Sequence, residues 1–376
     1  MRVSGIRVIK SGEFAELHAL VHHDTHWVWG DAPFDLWYRY PASFSDHLSE
    51  LNGDPFLAAL LVPAMLLGED LRIEAAVSPK LLRAARTVIQ DIFHCWDSTM
   101  RRVEVLAPVR VVAESPALPA LRGLFFSMGV DSSYSLLKDV REHAGDGDGI
   151  THLITVEGFD VYLWESERFV PMLASIRDVA TELGKDVLRI TTNLRDLTDR
   201  VADWPRLFHG AALASAVLPL GAAFSRVHVA ATHSYDQLKP WGSHPLVDPL
   251  WGTEALVFVH DGCEARRIAK IRCIAVANVP IVLHNLRVCT TAELTDAYNC
   301  GRCEKCVRTM IGLHVCGALD RCGSLPHSID AEQIRSLSIR PGLHHYYRDL
   351  MQMLGSSAPD LAIKGALDEV LSRSAV

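Results

Sequence analysis

The chain has 376 residues, 49% hydrophobic and 22% charged, the balance of a folded protein with material for two domains or one large one. Its 37 basic and 45 acidic residues leave a net charge of −8, which speaks against a general nucleic-acid binder, whose footprint is basic. The longest apolar stretch, Gly210 to Phe224, is interrupted by Pro219 and Gly221 and is shorter than the ~20 residues of a membrane span, so it is expected to be a buried helix with no membrane partner.

The first residues, MRVSGIRVIKSGEF, hold no continuous apolar core and no small-residue cleavage site, so no signal peptide is expected. Nine cysteines, an odd number with four of them clustered, then favour a reduced, cytoplasmic setting and a metal over disulfides.

Residues 1–115 are expected to form one α+β domain. IRVIKSGEFAELHALV and FDLWYRYP alternate apolar and polar residues as half-buried strands do. DPFLAALLVPAMLLG predicts a helix broken near Pro63. SPKLLRAARTVIQDIFHCW predicts one helix, capped by Ser78 with Pro79 at its first position. RRVEVLAPVRVVA is a strand or hairpin, and the proline-rich ESPALPALRG a linker.

Strand and helix alternate from about residue 116. GLFFSM, HLITVEGFD, DVLRITTN, RVHVAATHS and VPIVLHNLRVC are predicted strands. Helices are expected over 132–142, 165–183 and 204–218, and through most of GTEALVFVHDGCEARRIAKIRCI. The pattern predicts an α/β fold, a doubly wound parallel sheet over 116–327, followed by a helical extension over 328–376. There is no internal repeat.

FFSMGVDSSYSLL follows the first of these strands and opens its helix. In such sheets ligands bind outside the carboxyl ends of the strands, and a helix amino terminus aims N–H groups at an anion. Gly129 lets the backbone approach closely, Ser127, Ser132 and Ser133 add hydroxyls, and Asp131 holds Mg²⁺ or fixes the loop. The bland alternative is a serine-rich helix cap. The loop is neither a Walker A sequence nor G-x-G-x-x-G.

Cys289 is followed by Cys300-x2-Cys303-x2-Cys306, a spacing that closes a tetrahedral Zn²⁺ site, with Gly301 permitting the tight knuckle. Buried free thiols and an iron–sulfur cluster are the competitors, although no Cys-Pro follows after three residues.

Ser127-Met128-Gly129-Val130-Asp131-Ser132 resembles the S-G-G-x-D-S loop of the PP-loop ATP pyrophosphatases, with Met128 where that family has its first glycine. Together with the cysteine knuckle over 289–306, the chain from about 120 to 315 resembles the 7-cyano-7-deazaguanine synthase family, whose arginine after the knuckle corresponds to Arg308. Residues before 115 have no counterpart there. The resemblance implies an ATP-dependent ligase releasing AMP and pyrophosphate, with ATP, Mg²⁺ and Zn²⁺ as cofactors. A small-molecule carboxylate would be adenylated and then attacked by ammonia or an amine. The rivals are a PP-loop sulfurtransferase and a non-catalytic nucleotide-binding module. A homodimer is compatible with either.

Further candidates sit at other strand ends. Glu157, Asp160 and Asn193 suit ribose, adenine or metal contacts. THSYDQLKPWGSHPLVDP offers His233, Asp236, Ser243 and His244 for substrate and Lys239 for a phosphate, against the alternative of a solvated loop. The expected catalytic set is Asp131, Ser132 and Lys239. His209 is expected to be a packed core histidine, His22 to His26 a surface segment, and Cys263 and Cys316 small buried hydrophobes.

Overall fold

The computed structural model describes residues 1–25, 28, 30–111, 121–277, 279–289 and 298–373. The proline-rich segment expected to be a linker lies mostly outside them.

Alternation in the first forty residues produces a hairpin and a third strand: β1 (Arg2–Lys10), β2 (Phe14–His22) and β3 (Phe34–Pro41), paired antiparallel in that order. One face carries buried Val3, Leu17, Ala19, Leu36 and Tyr38; the other carries Arg7, Glu16, Asp35 and Arg39 in ion pairs. β4 (Leu71–Ile73) and the two-residue β5 (Val105–Leu106) run parallel to β1 on its far side.

The second run of strands is β6 (Leu121–Phe125), β7 (His152–Glu157), β8 (Asp186–Thr192), β9 (Phe224–Ala230) and β10 (Val257–Asp261), all parallel, in the order β8-β7-β6-β9-β10. Strand order therefore reverses between β6 and β9, the crevice where doubly wound sheets bind ligands. β3 pairs antiparallel with β8 through Tyr38 and Thr192, so all ten strands form one sheet, β10-β9-β6-β7-β8-β3-β2-β1-β4-β5. The hydrophobic cluster on one face crosses the boundary near residue 115: α1 (Asp54–Leu67) packs on α7 (His209–Val217).

On the opposite face lie α4 (Val130–Glu142), α5 (Ser166–Glu182), α8 (Arg267–Val276) and α10 (Glu304–Val315). The tail is helical, as expected: α11 (Ala331–Arg335), α12 (His344–Met353) and α13 (Ala358–Arg373) pack with α10 around Val307, Ile311 and Tyr347.

Several local expectations are corrected. Pro63 does not break α1, because the surrounding helix is buried on nearly every side and packing outweighs the lost backbone bond. The helix expected over 79–96 is two, α2 (Pro79–Arg86) and α3 (Val88–Trp96), parted at Thr87 with φ −133° and ψ −94°. Ser78 does cap α2, accepting from Leu81 N–H. VFVHD is strand β10 rather than helix, its β-branched and aromatic residues suiting an edge strand. VPIVLH forms the short α9 (Pro280–His284) instead of a strand, with Pro280 at its first turn. The Trp204 helix begins as a π-helical turn, Trp204–Phe208, before α7. The remaining short helix, α6 (Leu194–Thr198), follows β8. No helix among the described residues is long and apolar enough to cross a membrane.

Candidate functional site: a metal knuckle beside a cationic cleft

At the carboxyl end of β6 the chain turns through Ser127, Met128 and Gly129 into α4. The left-handed residue is Met128, with φ 62°, the only non-glycine of positive φ among the described residues. A Cβ in this conformation costs roughly 1 kcal/mol, and the fully buried Met128 side chain offsets it by packing into the core under α4. Gly129 instead has φ −70° and serves as the helix cap. Ser133 N–H is the first to bond back, to Gly129 O at 2.9 Å, so the N–H groups of the preceding first turn face the crevice without intrahelical partners. Ser132 Oγ stays within the loop, donating to Gly129 O at 3.2 Å, while the buried Ser133 hydroxyl has no partner.

Asp131 points at α8. Its Oδ1 accepts from Lys270 Nζ at 3.1 Å and its Oδ2 lies 3.1 Å from Arg267 Nη2. Burial would raise its pKa, but Arg267 and then Lys270 overcome that and hold the carboxyl below its usual range. Both oxygens are engaged by cations, so Asp131 anchors Lys270 and Arg267. Lys270 is 1% exposed and also donates to Ala231 O at 2.6 Å, tying the end of β9 to the loop after β6.

Further cations converge from α10. Arg308 pairs with Glu304 at 3.3 Å and lies 4.5 Å over the Tyr346 ring, leaving its Nη1 buried and unpartnered. Lys305 is exposed along part of its length, while desolvation of its amine draws its pKa down, opposed by Asp160 just beyond β7. Lys239 sits 5.3 Å from the Trp241 ring, which also meets the edges of His233 at 5.3 Å and His209 at 6.3 Å. His209 is half-buried, packed against Trp241 and Gly242 with Nδ1 unpartnered. Of these residues sequence reasoning singled out Arg308 and Lys239, and missed Arg267, Lys270, Lys305 and Tyr346. The charges of EARRIAKIRC look like an ordinary solvated helix face until α4 buries them.

The structure disperses the other candidates. Glu157 is buried, ion-paired with Arg189 and accepting from Thr191 at 3.3 Å. Asn193 spends its amide on β3, accepting from Trp37 N–H at 3.0 Å and donating to Asp35 O at 2.8 Å. Asp236 forms an exposed pair with Arg266, which also reaches Asp349. Ser243 donates to Asp248 at 2.6 Å, and His244 stacks edge-on with Trp96 at 5.0 Å, away from the cations. Asp248 is shared with His260 at 2.7 Å, both buried. Burial opposes the imidazolium, but the bond to Asp248, seconded by Cys263, lifts the His260 pKa to about 9. The loop carrying Ser243 lies against α7 because position 210 is glycine: a Cβ there would stand 2.3 Å from Gly242 O. His22 bonds Ser4, and His26 lies outside the described residues. Cys263 is buried and Cys316 half-buried.

The four knuckle cysteines come together as expected. Their ligand atoms lie within 4.8 Å of one another, the one such metal-competent cluster among the described residues. Cys300 Sγ accepts from Cys303 N–H at 3.3 Å, the turn a metal knuckle requires. Gly301 has φ 68°, and a Cβ there would lie 2.6 Å from Pro326. Asn299 clasps both arms, accepting from Val288 and Cys289 N–H at 2.9 and 3.1 Å and donating to Leu286 and Ser324 carbonyls. As free thiols the four crowd one another: bonding to Cys303 and burial push Cys306 far up. A divalent cation resolves that crowding by taking the thiolates, and the all-sulfur tetrahedral set suits zinc or iron. Cys303 caps α10, so the knuckle fixes the helix that delivers Lys305 and Arg308. The arm leading to Cys289 pins the β6 loop, through Arg287 N–H to Met128 O at 3.0 Å.

No family model, curated protein or solved structure matches this chain.

Proposed function

We propose that this chain is an ATP-dependent ligase that adenylates a small-molecule carboxylate, releases pyrophosphate, and joins the acyl group to ammonia or an amine. The observation that carries this reading is the cleft at the β6/β9 reversal. Free first-turn N–H groups and the cations Arg267, Lys270, Lys305 and Arg308 converge there in a chain whose net charge is −8. Such a site suits a polyanion of phosphate type. The serine-rich loop and the knuckle agree with the PP-loop resemblance, in which the α phosphorus is the electrophile.

The chemistry follows from charge. A carboxylate oxygen attacks the α phosphorus, the bond to the β-bridging oxygen breaks, and pyrophosphate leaves with the electron pair. The nitrogen nucleophile then attacks the acyl carbon, and AMP departs. The loop N–H groups and the Lys270–Arg267 pair would stabilise the charge developing on the leaving pyrophosphate. Lys239 and Arg308 stand where they could offset the acceptor carboxylate. Zinc in the knuckle would be structural, with four sulfur ligands and no open position.

Exchange of labelled pyrophosphate into ATP, screened over carboxylic acids with Mg²⁺ present, tests the reading. Acid-dependent exchange with AMP as product is expected. ADP formation with a responsive acid would overturn it.

A further inference from the structure

We infer that the carboxy-terminal helix α12 completes the anion site: the Tyr346 hydroxyl donates to His233 Nδ1 and so keeps the His233 proton on Nε2, from which it donates to an anionic oxygen of bound nucleotide or pyrophosphate. The inference rests on the cleft being the nucleotide site, and it gives a positioning role to the otherwise unassigned segment 328–376.

α12 is locked onto the cleft by three side chains. Tyr347 donates to Glu304 at 2.9 Å, Asp349 pairs with Arg266 at 3.1 Å, and the Tyr346 ring supports the Arg308 guanidinium. The Tyr346 hydroxyl, on a side chain 6% exposed, reaches His233 Nδ1 at 3.4 Å.

His233 is itself 7% exposed, and its Nε2 is buried without a partner. A buried polar atom left unpaired costs about 1–3 kcal/mol, so such an atom beside Lys239 and Arg267 points to a ligand. Which hydrogen it presents follows from chemistry. A phenol is a good donor and a poor acceptor, because its oxygen lone pair is delocalised into the ring. The pair therefore forms as O–H to Nδ1, which leaves the ring proton on Nε2. Lys239, His345 and Arg267 face the imidazole, with Asp131 as the opposing charge. Burial, then Lys239, pull its pKa to about 4, so the ring is neutral at pH 7 and acts as a donor, not a third cation. An acceptor-only anion is the complement of an unpaired N–H with Lys239 and Arg267 close by.

The experiment uses the full chain. Nitrogen-15 spectra of histidine-labelled protein without ligand report the tautomer, and calorimetry with inorganic pyrophosphate and with ATP reports binding. In wild type, His233 should be protonated on Nε2. Tyr346→Phe keeps the ring beneath Arg308 and removes only the hydroxyl; it should give a mixed tautomer and about three- to tenfold weaker pyrophosphate binding. His233→Ala should weaken binding at least tenfold. His233→Gln, which places an amide N–H where Nε2 was, should stay within about threefold of wild type. Wild-type affinity and unchanged nitrogen shifts in Tyr346→Phe would overturn the inference, as would an Nδ1-protonated His233. Failure of wild type to bind either probe would overturn the functional reading together with the ligand half of this inference. The ligand-free shifts judge the Tyr346–His233 pair alone.

Discussion

The two halves of the ten-stranded sheet treat their polar side chains in opposite ways. At the seam of the antiparallel half, buried polar groups are spent on the fold. Tyr38 donates to Ser215 at 2.9 Å, Tyr40 to Ala216 O at 2.9 Å, and Asn193 bridges two β3 backbone groups. Around the strand ends of the parallel half, Ser133 Oγ, His233 Nε2, Arg267 Nε and Arg308 Nη1 are buried and left over. Folding alone does not account for that surplus, because each unpaired group is a cost. The proposed site sits where partnering stops, and four experiments test that contrast.

The largest effect is expected at the knuckle. A metal held there would contribute folding free energy outright, on the order of 10 kcal/mol in small zinc sites. Cys303→Ser, or prolonged chelation, should yield insoluble protein or one whose Tm falls by tens of degrees. Elemental analysis of wild type should find about one zinc per chain. Iron with visible absorbance would instead favour the sulfurtransferase.

Next comes Asp131→Asn. It leaves the buried Lys270 and half-buried Arg267 without a counter-charge and should cost about 4 kcal/mol in denaturant unfolding. Inorganic pyrophosphate should then restore more Tm to the variant than to wild type, because it replaces the lost negative charge. An equal gain in both would mean that the anion does not meet these cations.

The Asp248–His260 pair gives a pH signature. The folded His260 pKa, about 9, lies above its unfolded value, so its stabilisation is full below about pH 6.5 and disappears as pH rises through about 9. About 2 kcal/mol should be lost between about pH 7 and pH 9, and His260→Gln should flatten that slope. A slope unchanged in the variant would remove His260 as its source.

The smallest effect belongs to the seam. Tyr38→Phe should cost about 1 kcal/mol and leave pyrophosphate binding untouched, since Ser215 still donates to Ala212 O at 2.7 Å. A loss of binding would show that the halves are not independent in the way their polar groups suggest.

What could be seen in the sequence was what is local in it. The β6 loop and the knuckle pack their chemistry into six and eighteen consecutive positions, 127–132 and 289–306, and were legible. The cleft was not, because its walls come from α8, α10 and α12, segments read as merely helical or given no element at all. Lys270 looks like any surface lysine until α4 packs against α8 and Asp131 meets it. Tyr346 lies 113 positions from His233, beyond the reach of any periodicity. The errors in elements had the same origin. VPIVLH is as apolar as a strand, and only its packing beside α5 and α8 makes it a helix. VFVHD was absorbed into the helical pattern that follows it, although its Val-Phe-Val run suits a strand.

The antiparallel hairpin beside β8 has a consequence for how the protein behaves among its own copies. An unpaired strand is a template for another chain, and a five-stranded parallel sheet would expose two such templates, β8 and β10. β8, seven residues long and rich in β-branched side chains, is the more dangerous of them. β3 pairs with its carboxyl end at Thr191 and Thr192, and among the described residues the sheet then continues outward to β5, only two residues long and too short to recruit a neighbour. Residues 1–111 thus convert a sticky flank into a blunt one. On that side the parallel half is guarded against aggregation by a stretch of its own chain.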